Sequence, residues 1–174
     1  IEFCRSCEAC HKKILACPIK DDINAVLGHM LDADGIILAS PNYINQVTAS
    51  TKALLDRSSH FIHCKRLLDK YVAGAVASGS GHDKDVLDYI KYYANTCGAQ
   101  YSGGISAAAY MVNEKAEEAA QLGKRLISDI RGKKIFPGQT GAIKEGKELF
   151  RKIIEMRKND WPDEYRYWQS KKWL

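Results

Sequence analysis

The 174-residue chain is 45% hydrophobic and 27% charged, the balance of an ordinary globular domain with one sizeable core. Its Lys and Arg outnumber the acids by five but are scattered and gather only near the C-terminus, which argues against a nucleic-acid partner. No apolar run approaches the roughly 18 residues of a membrane span and no signal peptide opens the chain, so the sequence points to a cytoplasmic protein with no membrane partner.

The first feature along the chain is a run of cysteines. Cys4, Cys7, Cys10 and Cys17 are four of the six cysteines, spaced C-x2-C-x2-C-x6-C and followed at once by Pro18. Two-residue gaps let neighbouring thiolates turn towards one centre, and three in series can hold three corners of a cubane. Bacterial ferredoxins open in the same way, with a shorter last gap and a proline after the final cysteine. A [4Fe–4S] cluster is the leading reading. Zinc also accepts four thiolates, but structural zinc sites usually use two separated pairs. A disulfide framework belongs to small secreted chains. His11 lies inside the motif and is a possible substitute ligand.

Asp21 and Asp22 offer a helix start, and Ile23, Val26, Leu27, Met30 and Leu31 follow at helical spacing. Gly35 to Ala39 is a short continuous apolar run, as expected of a strand covered on both faces. The turn-rich loop Ser40 to Asn45 follows, then a helix over Val47–Ser58. Tyr71 to Ser78 reads as a second buried strand, leading into Gly79-Ser80-Gly81-His82 and a helix marked by Val86, Leu87, Ile90, Tyr93 and Ala94. A third strand is placed at Ile105–Met111, with Asn113 capping the long helix after it. Strands alternating with helices predict an α/β fold with a parallel sheet.

Beyond Lys133 a loop with Pro137, Gly138 and Gly141 is expected, then a basic amphipathic helix over Glu145–Lys158. Trp161, Tyr165, Tyr167, Trp168 and Trp173 crowd the end, either packing back on the domain or forming a subunit contact. Cys64 and Cys97 read as buried structural thiols. Lys52 and Arg57 read as surface or salt-bridge residues.

In open parallel sheets ligands sit beyond the carboxyl ends of the strands, where strand order reverses. The loops Ser40–Asn45 and Ser78–His82 leave such ends. Tyr43 can lie against an aromatic ring, and the glycines of the second loop let backbone approach a planar ligand. His82 is a further possible contact. Together the loops point to a flat heteroaromatic cofactor.

The stretch Ala33-Asp34-Gly35-Ile36-Ile37-Leu38-Ala39-Ser40-Pro41-Asn42-Tyr43, with Lys52-Ala53-Leu54-Leu55-Asp56-Arg57 after it, resembles the flavodoxin-like, NAD(P)H-dependent FMN reductase superfamily. With the four cysteines upstream, the chain resembles its iron–sulfur flavoprotein branch. The resemblance implies a flavodoxin-like doubly wound sheet, with a flavin-binding domain over 1–132 (cluster loop 4–18) and a C-terminal helix and aromatic tail over 133–174. It implies a [4Fe–4S] cluster on Cys4, Cys7, Cys10 and Cys17, and FMN lined by Ser40, Pro41, Asn42, Tyr43, Ser78, Gly79 and Ser80. It further implies homodimers or homotetramers, and a ferredoxin as one-electron partner. The family's opening strand, phosphate loop and helix do not precede Ile1. The expectation is therefore of a truncated chain whose Ile36–Leu38 strand becomes an apolar edge. Two rival functions remain: a cluster-free NAD(P)H-dependent flavin or quinone reductase, and a non-catalytic zinc-binding interaction module.

Overall fold

The computed structural model describes residues 1–174 except Ser80 and Val112, and of Ala109 only the backbone. In chain order the elements are α1 (Ala9–Lys12), α2 (Ile23–Asp32), β1 (Gly35–Pro41), α3 (Ala49–Arg57), α4 (Ser59–His63), β2 (Tyr71–Ala77) and α5 (Asp83–Thr96). They continue with β3 (Gln100–Ala107), a short 3-10 turn (Ala109–Met111), α6 (Ala116–Arg131), α7 (Pro137–Met156) and α8 (Pro162–Ser170). The three strands are parallel and lie in the order β1-β2-β3.

The sheet separates two apolar layers. On one face Ile36, Leu38, Val72, Val76 and Tyr101 pack against Ile23, Leu27 and Met30 of α2 and Val86, Ile90 and Tyr93 of α5. On the other, Tyr71, Ala73 and Ile105 meet Leu122, Leu126 and Ile130 of α6. This two-sided cover is the doubly wound arrangement that the strand–helix alternation predicts.

Several expectations need correction. The third strand begins at Gln100, and Ala109–Met111 is a 3-10 turn. The true start contains a bulge, in which Val72 pairs with Tyr101 and Ala73 already with Gly103, leaving Ser102 over. Gly103 has φ +125°, a conformation that side chains resist, so the bulge depends on this glycine. Lys115, not Asn113, precedes α6, and no side-chain cap bond forms there. Pro137, Gly138 and Gly141 do not form a loop: they make the first turns of α7, with Pro137 at the helix start, where its missing N–H costs nothing.

That early start has a packing consequence. Gln139 accepts from the Tyr101 amide at 2.7 Å and from Asn95 Nδ2 at 2.7 Å, and donates to the Tyr101 carbonyl at 2.9 Å. One buried amide side chain thus caps the outer edge of β3 at Tyr101. The outer edge of β1 has no strand partner among the described residues. β1 is not covered on both faces either. Ile130 of α6 lies against Gly35, but Ile37 is 63% exposed.

A third apolar cluster sits apart from the sheet. Cys64, Ile154 and Trp168 are fully buried, with Ile14, Phe150, Trp161, Tyr165, Tyr167 and Trp173 around them. The aromatic tail therefore folds back on α4, α7 and the cysteine loop. No helix among the described residues is long and apolar enough to cross a membrane.

Candidate functional site

The cysteine loop is bent by an unusual run of backbone. Ser6, Glu8 and Leu15 all have positive φ without being glycine, and Glu8 leads into the single turn of α1. Such residues persist only where surroundings hold them, and they cluster at functional sites. Cys4, Cys7, Cys10 and Cys17 all line one cavity of about 500 Å³. None of them is in a disulfide, and Cys4 and Cys7 are exposed.

Cys17 is the most firmly held of the four. Its amide donates to Asn24 Oδ1 at 3.2 Å, and Asn24 Nδ2 returns a bond to its carbonyl at 3.3 Å. Arg57 Nη2 reaches its Sγ at 3.1 Å. The same guanidinium donates to Asp21 and to the Glu2 carbonyl. The Arg57 guanidinium beside Asp21 holds that carboxyl well below the usual carboxylate range. Arg57 is thus a salt-bridge residue, as predicted, but it is buried rather than on the surface. Lys52 forms the exposed pair with Asp56.

Cys10 lies 3.8 Å from Ser59 Oγ and 4.0 Å from the His11 ring. His11 Nδ1 bonds Glu164 Oε1 at 2.6 Å. His63 bonds the other oxygen, Oε2, at 3.1 Å. Burial opposes charge on both partners, but hydrogen bonds outweigh it. Bonds that His11 makes to Cys10 and Glu164 raise it to about 10, and those that Glu164 accepts from the two histidines hold it below its ordinary range. Sequence reasoning missed Glu164 and His63. The available signal was spacing: Trp161, Glu164 and Trp168 share one helical face, so an acid sits on an aromatic, inward-facing stripe.

The strand-end loops also come together. Asn42 donates from its amide to the Ala77 carbonyl at 2.7 Å, and from Nδ2 to Ser78 Oγ at 3.2 Å and Gly81 O at 2.8 Å. Its buried Oδ1 has no partner among the described residues. Beside them lies a cleft of about 510 Å³, lined by Ser40, Pro41 and small side chains including Ala75, Ala77, Ala107 and Ala119. The hydroxyl of Ser40 is already used, donating to the Pro41 carbonyl at 2.8 Å and accepting from the Thr48 amide at 2.9 Å. Tyr43 is 67% exposed. Gly79 lines an adjoining cleft with Ser78, and Ser80 lies outside the described residues. His82 faces solvent, 3.5 Å from Asp85. Cys64 and Cys97 are fully buried, and burial pushes both thiols up, Cys97 to about 12, so neither is reactive.

With this geometry in view, residues 2–121 match the family described as NADPH-dependent FMN reductase, well over half of the chain. The chain belongs to that family. An iron-sulfur flavoprotein of Methanocaldococcus jannaschii is 44% identical over 80 residues, which are 46% of this chain and 40% of that protein. An iron-sulfur flavoprotein of Archaeoglobus fulgidus is 27% identical over 180 residues, taking in 98% of this chain and 79% of the relative. One from Methanosarcina thermophila is 38% identical over 78 residues, 45% of this chain and 40% of its own. In two of these three matches the aligned stretch spans only about two fifths of the relative's length.

Two solved structures share the fold. A flavodoxin, WrbA-like protein from Agrobacterium tumefaciens superposes with a TM-score of 0.55 at 23% identity, covering 62% of this chain and 73% of that one. A flavone reductase does so with a TM-score of 0.54 at 18% identity, covering 75% and 49%. The fold is flavodoxin-like, as the sequence resemblance implied.

Proposed function

We propose that the protein is an electron-transfer flavoprotein, with a [4Fe–4S] cluster on Cys4, Cys7, Cys10 and Cys17 and FMN at the strand-end loops. Four unpaired cysteines lining one cavity, in the C-x2-C-x2-C-x6-C spacing, carry this reading. That donor set fits a cluster ligated wholly by thiolates. The cleft of small side chains beside Ser40 and Pro41 fits a flat ring. The names of the relatives agree with both groups. Ser40, Pro41, Asn42, Tyr43, Ser78, Gly79 and Ser80 are the proposed flavin contacts.

When bound, FMN exchanges electrons in pairs and a cubane passes one at a time, so together they join two-electron to one-electron chemistry. The chain supplies position and electrostatics. Arg57, itself paired with Asp21, places an N–H donor against Cys17, which favours the more negative state of whatever that thiolate binds. Asn42 fixes the two strand-end loops against each other. A ferredoxin-like carrier is the proposed one-electron partner, and a homodimer or homotetramer the proposed assembly. The family description also supports a second reading, direct oxidation of NADPH without a cluster.

The deciding experiment is an absorption spectrum of protein purified without oxygen, with iron, sulfide, zinc and flavin assayed on the same sample. Flavin bands over broad brown absorption, with about four irons per chain, are expected. Flavin without iron favours the NADPH-dependent reductase. A colourless zinc protein overturns both.

A further inference from the structure

The cysteine loop is fastened to a part of the chain about 150 residues downstream. Glu164 of α8 is wholly buried and accepts from His11 at 2.6 Å and His63 at 3.1 Å. Its neighbour Asp163 accepts the Ile14 amide at 2.8 Å. Just before α8, Trp161 Nε1 and Arg157 both bond Glu8, at 3.2 and 3.3 Å. Three loop residues that bracket Cys10 are therefore held by one distant segment.

His11, His63 and Glu164 are also grouped closely enough to raise the question of a separate metal ion. Ring geometry argues against one. The two imidazoles are stacked, 4.7 Å apart and 18° from parallel, with both Nδ1 atoms facing the carboxylate. Their in-plane lone pairs run side by side and do not converge on a point, as ligation of one ion requires. Two N–H groups donating to one carboxylate account for the arrangement fully.

We propose that α8 is a positioning element of the cysteine centre, in which Glu164 and Asp163 set the conformation of the loop around Cys10 and so decide how firmly the centre keeps its metal. This segment lies outside residues 2–121, the part shared with the family. The proposal rests on the cluster reading above, but its mechanical half concerns the loop alone. Without the carboxylate, the buried His11 and His63 lose their common acceptor, and the positive-φ backbone of the loop loses the support that offsets its strain.

The test compares Glu164→Ala, Glu164→Gln and Asp163→Asn with a control, Glu155→Gln, on the exposed side of α7. Three readouts are taken on anaerobically purified protein: the rate of iron loss to a chelator, the EPR signature of the reduced centre, and local amide exchange. Glu164→Ala is expected to lose iron about 10-fold faster, the lower end of the 10–100-fold in metal affinity that loss of an outer-shell partner costs. Its EPR signature should shift, and amides 8–14 should exchange faster while those of β1–β3 keep their protection. Glu164→Gln should fall between, since one oxygen still accepts. Asp163→Asn, the mildest change, remains informative if Glu164→Ala does not fold. Equal iron retention and unchanged exchange at 8–14 in the variants would overturn the proposal. So would protection lost evenly across the sheet, which marks global destabilisation. A parent protein without iron would defeat the cluster reading instead, while the exchange arm still tests the brace.

Discussion

Around the cysteine loop, side chains from α2, α3, α4 and α8 reach in to hold a segment whose own backbone is strained. At the strand ends, by contrast, the loops are positioned by the parallel sheet itself, through Asn42 N to Ala77 and Ser78 N to Ala107. A regular ladder can present loops without remote help, because each strand fixes its neighbour's register. A four-residue helix entered through a positive-φ residue, Glu8, has no such scaffold, so its shape must come from tertiary bonds. The two regions should therefore respond to different mutations.

The largest expected effect is on the braced side. Trp168 is completely buried against Cys64 and Ile154, with its Nε1 on the His63 carbonyl at 3.2 Å. Trp168→Ala should cost about 3–5 kcal/mol of stability, measured by chemical denaturation, and should lower iron content. Flavin content should fall less than iron. Parallel loss of both groups at conditions where the chain is still folded would break the comparison.

His60 gives the next effect. It is buried, neither ring nitrogen has a partner among the described residues, and burial pulls it from 6.5 down to about 4. Between those values the unfolded chain binds a proton that the folded chain does not. Stability should accordingly fall as pH drops from 6.5 towards 4, by about 3 kcal/mol for this group. His60→Phe should remove that share of the slope, and unfolding midpoints at pH 7 and pH 5 measure it. An unchanged slope would show that His60 is not held neutral.

The smallest effect belongs to the strand ends. Asn42→Ala removes the bonds to Ser78 and Gly81 and should cost about 1–2 kcal/mol. It should weaken flavin binding and leave iron content unchanged. Iron loss in this variant would mean that the two regions are coupled.

Much of the architecture could be read locally. Apolar runs of strand length alternating with amphipathic helices determined the parallel α/β fold, because burial on two faces imposes its own periodicity. The C-x2-C-x2-C-x6-C spacing singled out the cysteine loop, since close thiols on a short loop can turn to one centre. Cys64 and Cys97 were likewise readable as core. What tertiary structure alone decided lies in contacts between residues far apart in the chain. Gln139 on the β3 edge, Arg57 on Cys17 and Glu164 between His11 and His63 are polar residues buried only because a partner from another segment meets them. Burying such a group is unfavourable until that partner arrives, so no local pattern announces it. The bulge at Ser102 and the helical start at Pro137 escaped for the same reason: strand pairing and the docking of Gln139 set them, and the local sequence reads as turn or loop.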